Sequence, residues 1–310
     1  MLTSEPTSRD SVALRIDDLG KQYPNGTWGL RHASTSFLRG RMTALLGPNG
    51  AGKSTLIHLL AGAIRPSEGH IHLPDPGSRI GWSSQRTTID WYLNVIDNVT
   101  LGARLAGYDR RQSREKALRI LDLLQLGELA TNDVSMLSGG QQQRIQVART
   151  LVADPDILLL DEPTASLDVA SAESVLGHMR NLTQEDETIL ISSHDLGLLE
   201  RFCDDVLFIH DGRIIAHDAM QSFLRRYAPS ESVTLHLDGT VTPAMLERIR
   251  LFNPRQEQDA RLTASIPSGA TIGSLVTLLE PDIRVLDISR KTASLRDIYL
   301  KMTTREGGQA

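Results

Sequence analysis

The chain has 310 residues, 40% hydrophobic and 23% charged, with a net charge of -5. That length allows one large domain and a smaller one, and the acidic balance leaves no polybasic footprint for nucleic acid or anionic lipid. No basic segment followed by an apolar stretch opens "MLTSEPTSRD" and no run of about 18 apolar residues follows it, so neither secretion nor a membrane span is expected; the single cysteine, Cys203, excludes an internal disulfide framework and any Cys-based zinc site, and reads as a small buried hydrophobe in a reducing cytosol.

In chain order, residues 12–46 read as short β-type segments, "VALRI" and "ASTSFL", broken by "YPNG" and "RGR", before "MTALL" runs straight into "GPNGAGKST" at 47–55. "STLIHLLAGAI" then has apolar residues at helical spacing and is closed by "RPSEG". From about 90 to 150 the pattern is helical, clearest in "REKALRILDLLQL" and "QQQRIQVARTLVA", and reads as a helical insertion. "ILLL" at 157–160 is the short continuous apolar run of a parallel strand covered on both faces. "TILISS" at 188–193 and "DDVLFIHDGRII" at 204–215 repeat the strand theme, with helical "VASAESVLGHMRNL" between the first two. Strands alternating with helices predict an α/β domain over 12–226 around a mostly parallel sheet. After the weak linker "YAPSES", strand-like "SVTLHLDG", "DARLTASIP" and "IRVLDIS" alternate with helical "PAMLERIRLF" and "ATIGSLVTLLE", predicting a small α+β domain over 231–303.

The glycine-rich stretch matches G-x-x-x-x-G-K-S/T as Gly47, Gly52, Lys53 and Ser54, placed after a strand and before a helix as a P-loop requires. Glycines let successive backbone N–H groups turn inward around phosphate oxygens, the helix N-terminus adds partial positive charge, and Lys53 adds a full one. Asn49, Gly50, Ala51 and Thr55 belong to the same nucleotide-binding run, and Ser54 is expected to place its hydroxyl on Mg²⁺. "ILLLDE" puts two carboxylates at a strand's C-terminal end, where ligands collect in open α/β sheets. Alone, two acids after a strand are more often a helix N-cap or a solvated turn. Beside a P-loop, Asp161 is expected to hold Mg²⁺ through water, and Glu162 to polarise an attacking water. "MLSGGQQQR" at 136–144 opens a helix, and in isolation it is a serine N-cap with two permissive glycines.

A P-loop, then LSGGQ, then an aliphatic run ending in Asp-Glu, then the histidine of "ISSHD", resembles the nucleotide-binding subunit of ATP-binding-cassette (ABC) transporters over residues 12–222. The resemblance implies a P-loop NTPase fold: a RecA-like core sheet with a β-subdomain and an inserted helical subdomain. It implies ATP and Mg²⁺ as ligands, hydrolysis of ATP to ADP and phosphate, and head-to-tail pairing with a second nucleotide-binding subunit, a homodimer being the expectation. Residue by residue, Tyr23 matches the aromatic that stacks on adenine, though a turn aromatic packed on the sheet would look the same. Gln85 matches the glutamine that reaches Mg²⁺ and the attacking water. Ser138, Gly139, Gly140 and Gln141 match the signature that contacts the γ-phosphate held by the other subunit, and Asp168 matches the aspartate that crosses the dimer interface. His194 matches the histidine at the γ-phosphate, where a lone histidine after a buried strand would otherwise be structural.

The resemblance also implies an integral membrane partner, which would place the protein in the cytoplasm, peripheral on the cytoplasmic face of the cell membrane. Departures from the family pattern are few. Ser84 stands where proline is usual, next to Gln85. Trp91 and Tyr92 lie in the region that receives a cytoplasmic helix of the membrane partner, and either dock there or pack inside the helical subdomain. The terminal "SLRDIYLKMT" places Leu295, Ile298, Tyr299 and Met302 on one helix face; it is similar to the ending of ATPases from ABC-2 type exporters, which points to export. The competing class is a soluble ABC ATPase of translation or DNA maintenance. It lacks support here: there is one cassette, no long coiled coil, and an acidic chain suits neither ribosome nor DNA. A P-loop kinase would leave LSGGQ and His194 without a role.

Overall fold

The computed structural model describes residues 11–227, 231–257, 260–267, 270–280, 282–291 and 293–304. Strands β1 (Val12–Gln22), β2 (Trp28–Leu38) and β3 (Met42–Leu46) lead into helix α1 (Lys53–Leu60), followed by β4 (Glu68–His72) and β5 (Ile80–Ser83). The helical stretch comprises α2 (Val95–Leu105), α3 (Arg110–Leu123) and α4 (Gly139–Leu151). Then come β6 (Ile157–Asp161), α5 (Val169–Leu182), β7 (Thr188–Ser192), α6 (Leu196–Phe202), β8 (Asp205–His210) and β9 (Arg213–Ala219). The chain continues with α7 (Met220–Tyr227), β10 (Glu231–Leu237), α8 (Pro243–Arg248), β11 (Arg255–Gln256), β12 (Arg261–Ile266), α9 (Ile272–Leu279), β13 (Val285–Lys291) and α10 (Leu295–Thr304).

Two compact units divide between Met220 and Gln221. The sequence pattern ends the first domain at 226, and the division between the two units falls after the first residue of α7. In the first unit, six strands run in the order β5-β6-β7-β3-β8-β9, parallel except for β9. β3, β6 and β7 are buried at every position, which is why apolar residues dominate them without alternation and the polar ones, Thr43 and Thr188 apart, come at the strand ends as Asp161 and Ser192. The strand theme expected over 204–215 is a hairpin. It turns at Asp211 and Gly212, both with positive φ (47° and 71°), the pairing a tight two-residue turn needs. A second sheet, β2-β1-β4, is antiparallel. Its strand β4 falls in "EGHIH", where weak alternation hides it, and it is held by pairing with β1. Leu14, Ile16, Leu19, Leu56, Ile57, Leu159 and Leu207 close one core between the two sheets and α1.

The second unit has the antiparallel sheet β11-β12-β10-β13 with α8, α9 and α10. Val233, Leu235, Leu262, Met245 and Leu275 form its own core, as a separate domain requires. On α10, Leu295 and Ile298 are fully buried and Tyr299 and Met302 half-buried, the face read from their spacing. Among the described residues no helix is long and apolar enough to cross a membrane.

Candidate active site

β3 ends at Leu46 and the chain turns through the glycine loop into α1. Gly47 has φ 146°, and a Cβ there would lie 2.0 Å from the Ile209 carbonyl; Gly52 has φ 110°, and its Cβ would lie 2.2 Å from the Gly29 carbonyl. Only glycine fits both the conformation and the space. No side chain caps α1, which leaves the N–H groups of its first turn for a ligand. Lys53 Nζ donates to the carbonyls of Gly47 (2.7 Å) and Pro48 (3.0 Å), so the ammonium lies across the loop. Burial pushes its pKa down, and the carboxylates of Glu162 and Asp161 oppose that fall.

β6 ends at Asp161 and Glu162 follows it, each about one-twentieth exposed, 5%. The parallel register of β6 on β7 sets Asp161 opposite Ser192. The Ser192 hydroxyl donates to Asp161 Oδ1 at 2.6 Å and accepts from the Glu162 N–H at 3.0 Å, so one buried side chain holds both acids. Glu162 has φ 55°, the left-handed region, which costs a non-glycine residue on the order of 1–3 kcal/mol and persists only where neighbours enforce it. The two acceptors on its N–H, Ser192 Oγ and the Ser192 carbonyl at 3.2 Å, are those neighbours. The Glu162 carboxylate meets His194: Oε2 accepts from the His194 N–H at 3.2 Å and Oε1 lies 3.5 Å from Nε2.

Burial raises the Glu162 pKa, which the His194 ring, the His194 N–H and Lys53 oppose and Asp161 reinforces. Because the net shift is upward, the ionised form is lost on acidification at a higher pH than for an ordinary carboxylate. The pH–rate profile of hydrolysis is therefore expected to fall on its acid limb above the ordinary carboxylate range. A limb within that range would contradict Glu162 as the titrating base.

These groups open onto one cleft of about 480 Å³, lined by Tyr23, Asn49, Gly50, Gly52, Lys53, Ser54, Thr55, Gln85, Asp161, Glu162 and His194. Tyr23 Oη and Thr55 Oγ1 share a hydrogen bond at 3.1 Å, which ties the aromatic at the cleft mouth to α1. Thr27, Trp28 and Gly29 also line it and were not anticipated; the turn "PNGTWG" after Tyr23 is the signal that carried them. Ala51 is buried, donates its N–H to Pro48, and does not line the cleft.

Ser138, Gly139, Gly140, Gln141 and Asp168 do not line it either. Ser138 and Gln141 form a capping box at the start of α4: the Ser138 hydroxyl accepts from the Gln141 N–H, and the Gln141 side chain accepts from the Ser138 N–H at 2.9 Å. Gln142 holds the preceding turn through the carbonyls of Val134 and Leu137, and Gln143 reaches the Glu162 carbonyl at 3.5 Å. Asp168 caps α5, and the N–H and hydroxyl of Ser171 hold its carboxyl below the usual range. Of the two readings for the aromatic pair, internal packing fails: Tyr92 is 99% exposed and Trp91 53%.

Residues 30–165 match the family described as ABC transporter. The Nod factor export ATP-binding protein I of Ralstonia nicotianae is 31% identical over 94% of this chain and 94% of its own length. The chain belongs to the ABC transporter family. The phosphite import ATP-binding protein PxtA of Stutzerimonas stutzeri is 36% identical over 79% of this chain and 89% of its own, so ABC relatives of both transport directions are similar to it. The solved structure of CbiO1 from Clostridium perfringens, part of an ABC transporter complex, superposes with TM-score 0.61 at 28% identity, covering 70% of this chain and 94% of that one. The first unit is thus an ABC cassette with the P-loop NTPase fold, and the protein is an ATP-binding ATPase subunit that powers transport.

Proposed function

We propose that this ABC ATPase drives export through a separate integral membrane subunit, on the cytoplasmic face of the cell membrane, as an ABC-2 type system. The observation that carries the direction is the reach of the match to the Nod factor export protein. At 94% of the chain it extends through most of the second unit, while the match to the phosphite import protein stops at 79%. The α10 face of Leu295 and Ile298 adds to it.

Within the cleft, Tyr23 takes the adenine, the loop from Asn49 to Thr55 takes the phosphates, and Lys53 and His194 meet the γ-phosphate. Glu162 accepts the proton of the attacking water. Ser54, Gln85 and Asp161 offer a hydroxyl, an amide oxygen and a carboxylate to one space, a hard-oxygen donor set that fits Mg²⁺. When bound, that ion would neutralise charge on the β- and γ-phosphate oxygens. The signature Ser138–Gln141 and Asp168 lie off their own cleft, which supports their acting on nucleotide held by a second copy in a head-to-tail dimer. Exposed Trp91 and Tyr92 are the docking surface for the membrane subunit. The first unit is the catalytic cassette and the second an accessory domain.

The test is affinity purification of the tagged chain from detergent-solubilised membranes of its own host. A polytopic membrane protein in stoichiometric amount is expected, and its loss from a Trp91→Ala, Tyr92→Ala variant. Recovery with ribosomes or nucleic acid alone would overturn the reading.

A further inference from the structure

Gln146 lies on α4, the helix that the signature opens, and is 3% exposed. A buried amide must have both ends satisfied, and its side-chain partners here are the last residue of β5 and the Gln85 loop that follows it. Its Nε2 donates to Ser83 Oγ (3.2 Å) and to the Ser84 carbonyl (2.5 Å), and its Oε1 accepts from the Thr88 N–H at 2.7 Å. One side chain therefore grips the loop on both sides of Gln85. One turn further along α4, Arg149 Nη1 donates to the Thr88 carbonyl at 2.7 Å. One turn earlier, Gln143 reaches the Glu162 carbonyl, and residues three apart share a helix face. Within the loop itself, the Ser84 hydroxyl donates to the Arg86 carbonyl at 2.8 Å.

We infer that Gln146 is a positioning residue for Gln85: it makes the signature helix and the Gln85 loop one mechanical piece. Ser138 caps α4 eight residues before Gln146, a separation of about 12 Å along the axis, too short for the helix to absorb a movement of its N-terminus. A shift of the signature is then delivered to Ser84 and Thr88 as a shift of Gln85. Serine at 84 leaves its own φ free, so beside the Ser84–Arg86 hydrogen bond the constraint on the loop comes from α4. This inference rests on the proposed role of Gln85 in ATP hydrolysis.

The test uses the full-length chain with Gln146→Met, which keeps the side-chain length without polar atoms, and Gln146→Ala. Hydrogen exchange at residues 84–88 is expected to accelerate by about tenfold, with exchange at 47–55 unchanged. ATP affinity is expected to hold while kcat falls by about tenfold, the scale of effect that slight misplacement of a reacting group produces. Adding Ser84→Pro to Gln146→Ala should restore most of kcat, because proline fixes φ at 84 and demands an extended residue before it, as Ser83 already is at the end of β5. Unchanged exchange at 84–88, or faster exchange with unchanged kcat, would overturn the inference. So would equal loss of ATP affinity and kcat with protection lost through β6, which marks general loosening. A wild-type chain that binds ATP without hydrolysing it would overturn the hydrolytic reading alone, and the exchange measurement would still decide the clamp.

Discussion

Glu162→Gln is expected to bind ATP as the wild-type chain does and to hydrolyse it about 10²–10⁴-fold more slowly, the usual contribution of a positioned general base. The substitution is close to isosteric: an amide oxygen can still accept from the His194 N–H, and the Glu162 N–H can keep its acceptors on Ser192. Glutamine suffers the same backbone strain at φ 55° that glutamate does. Burial opposes the charge of Glu162, and a neutral amide removes that opposition, so thermal stability should not fall. What goes is the capacity to take a proton. Nucleotide-bound dimers should then accumulate on ATP addition, read by size-exclusion chromatography beside turnover. Hydrolysis at the wild-type rate would remove the base assignment, and a lower Tm would attribute the loss to misfolding.

The chemistry-bearing residues were legible where the signal is local. Gly47 to Thr55 are contiguous, and their conformational demands fall on glycine, so the loop is visible in the sequence itself. Asp161 and Glu162 are announced by the apolar run before them, because a strand buried on both faces has no other place for charge than its end. Ser192 was not legible. It lies 31 residues from Asp161, and only the β6–β7 register brings its hydroxyl to the two acids. The stretch "ISSHD" points to a strand end and not to which serine turns inward.

The glutamine run shows the same limit at shorter range. The serine N-cap marks where α4 begins, yet the pattern after it does not say that Gln143 and Gln146 face inward, since a polar residue on an amphipathic helix is expected on the solvent side. Their burial is tolerated because the Glu162 carbonyl and the Ser83–Thr88 loop supply partners that tertiary structure alone provides. The exposed Trp91 and Tyr92 were ambiguous for the opposite reason: aromatic residues bury in most settings, and here their polar neighbours in "TTIDWY" gave no period to decide it.

Lys53→Ala is expected to weaken ATP binding by about 10- to 100-fold, since hydrogen bonds to a charged group contribute about 1.5–3 kcal/mol and 1.4 kcal/mol is tenfold. The fold should survive, because Lys53 lines the cleft and the space its ammonium would vacate beside the Gly47 and Pro48 carbonyls opens to water. A second effect separates this lysine from a plain phosphate ligand. Its charge lowers the Glu162 pKa against the rise that burial imposes, and removing it leaves that rise less opposed. Residual hydrolysis at saturating ATP should therefore lose its acid limb at a higher pH than wild type, because the ionised base disappears as pH falls through a pKa that is now higher. Equilibrium titration with ATP and the pH–rate profile read the two effects separately. Undiminished affinity would sink the phosphate role; lost affinity with an unshifted profile would confine Lys53 to the phosphates and leave the tuning of Glu162 to His194 and its backbone N–H.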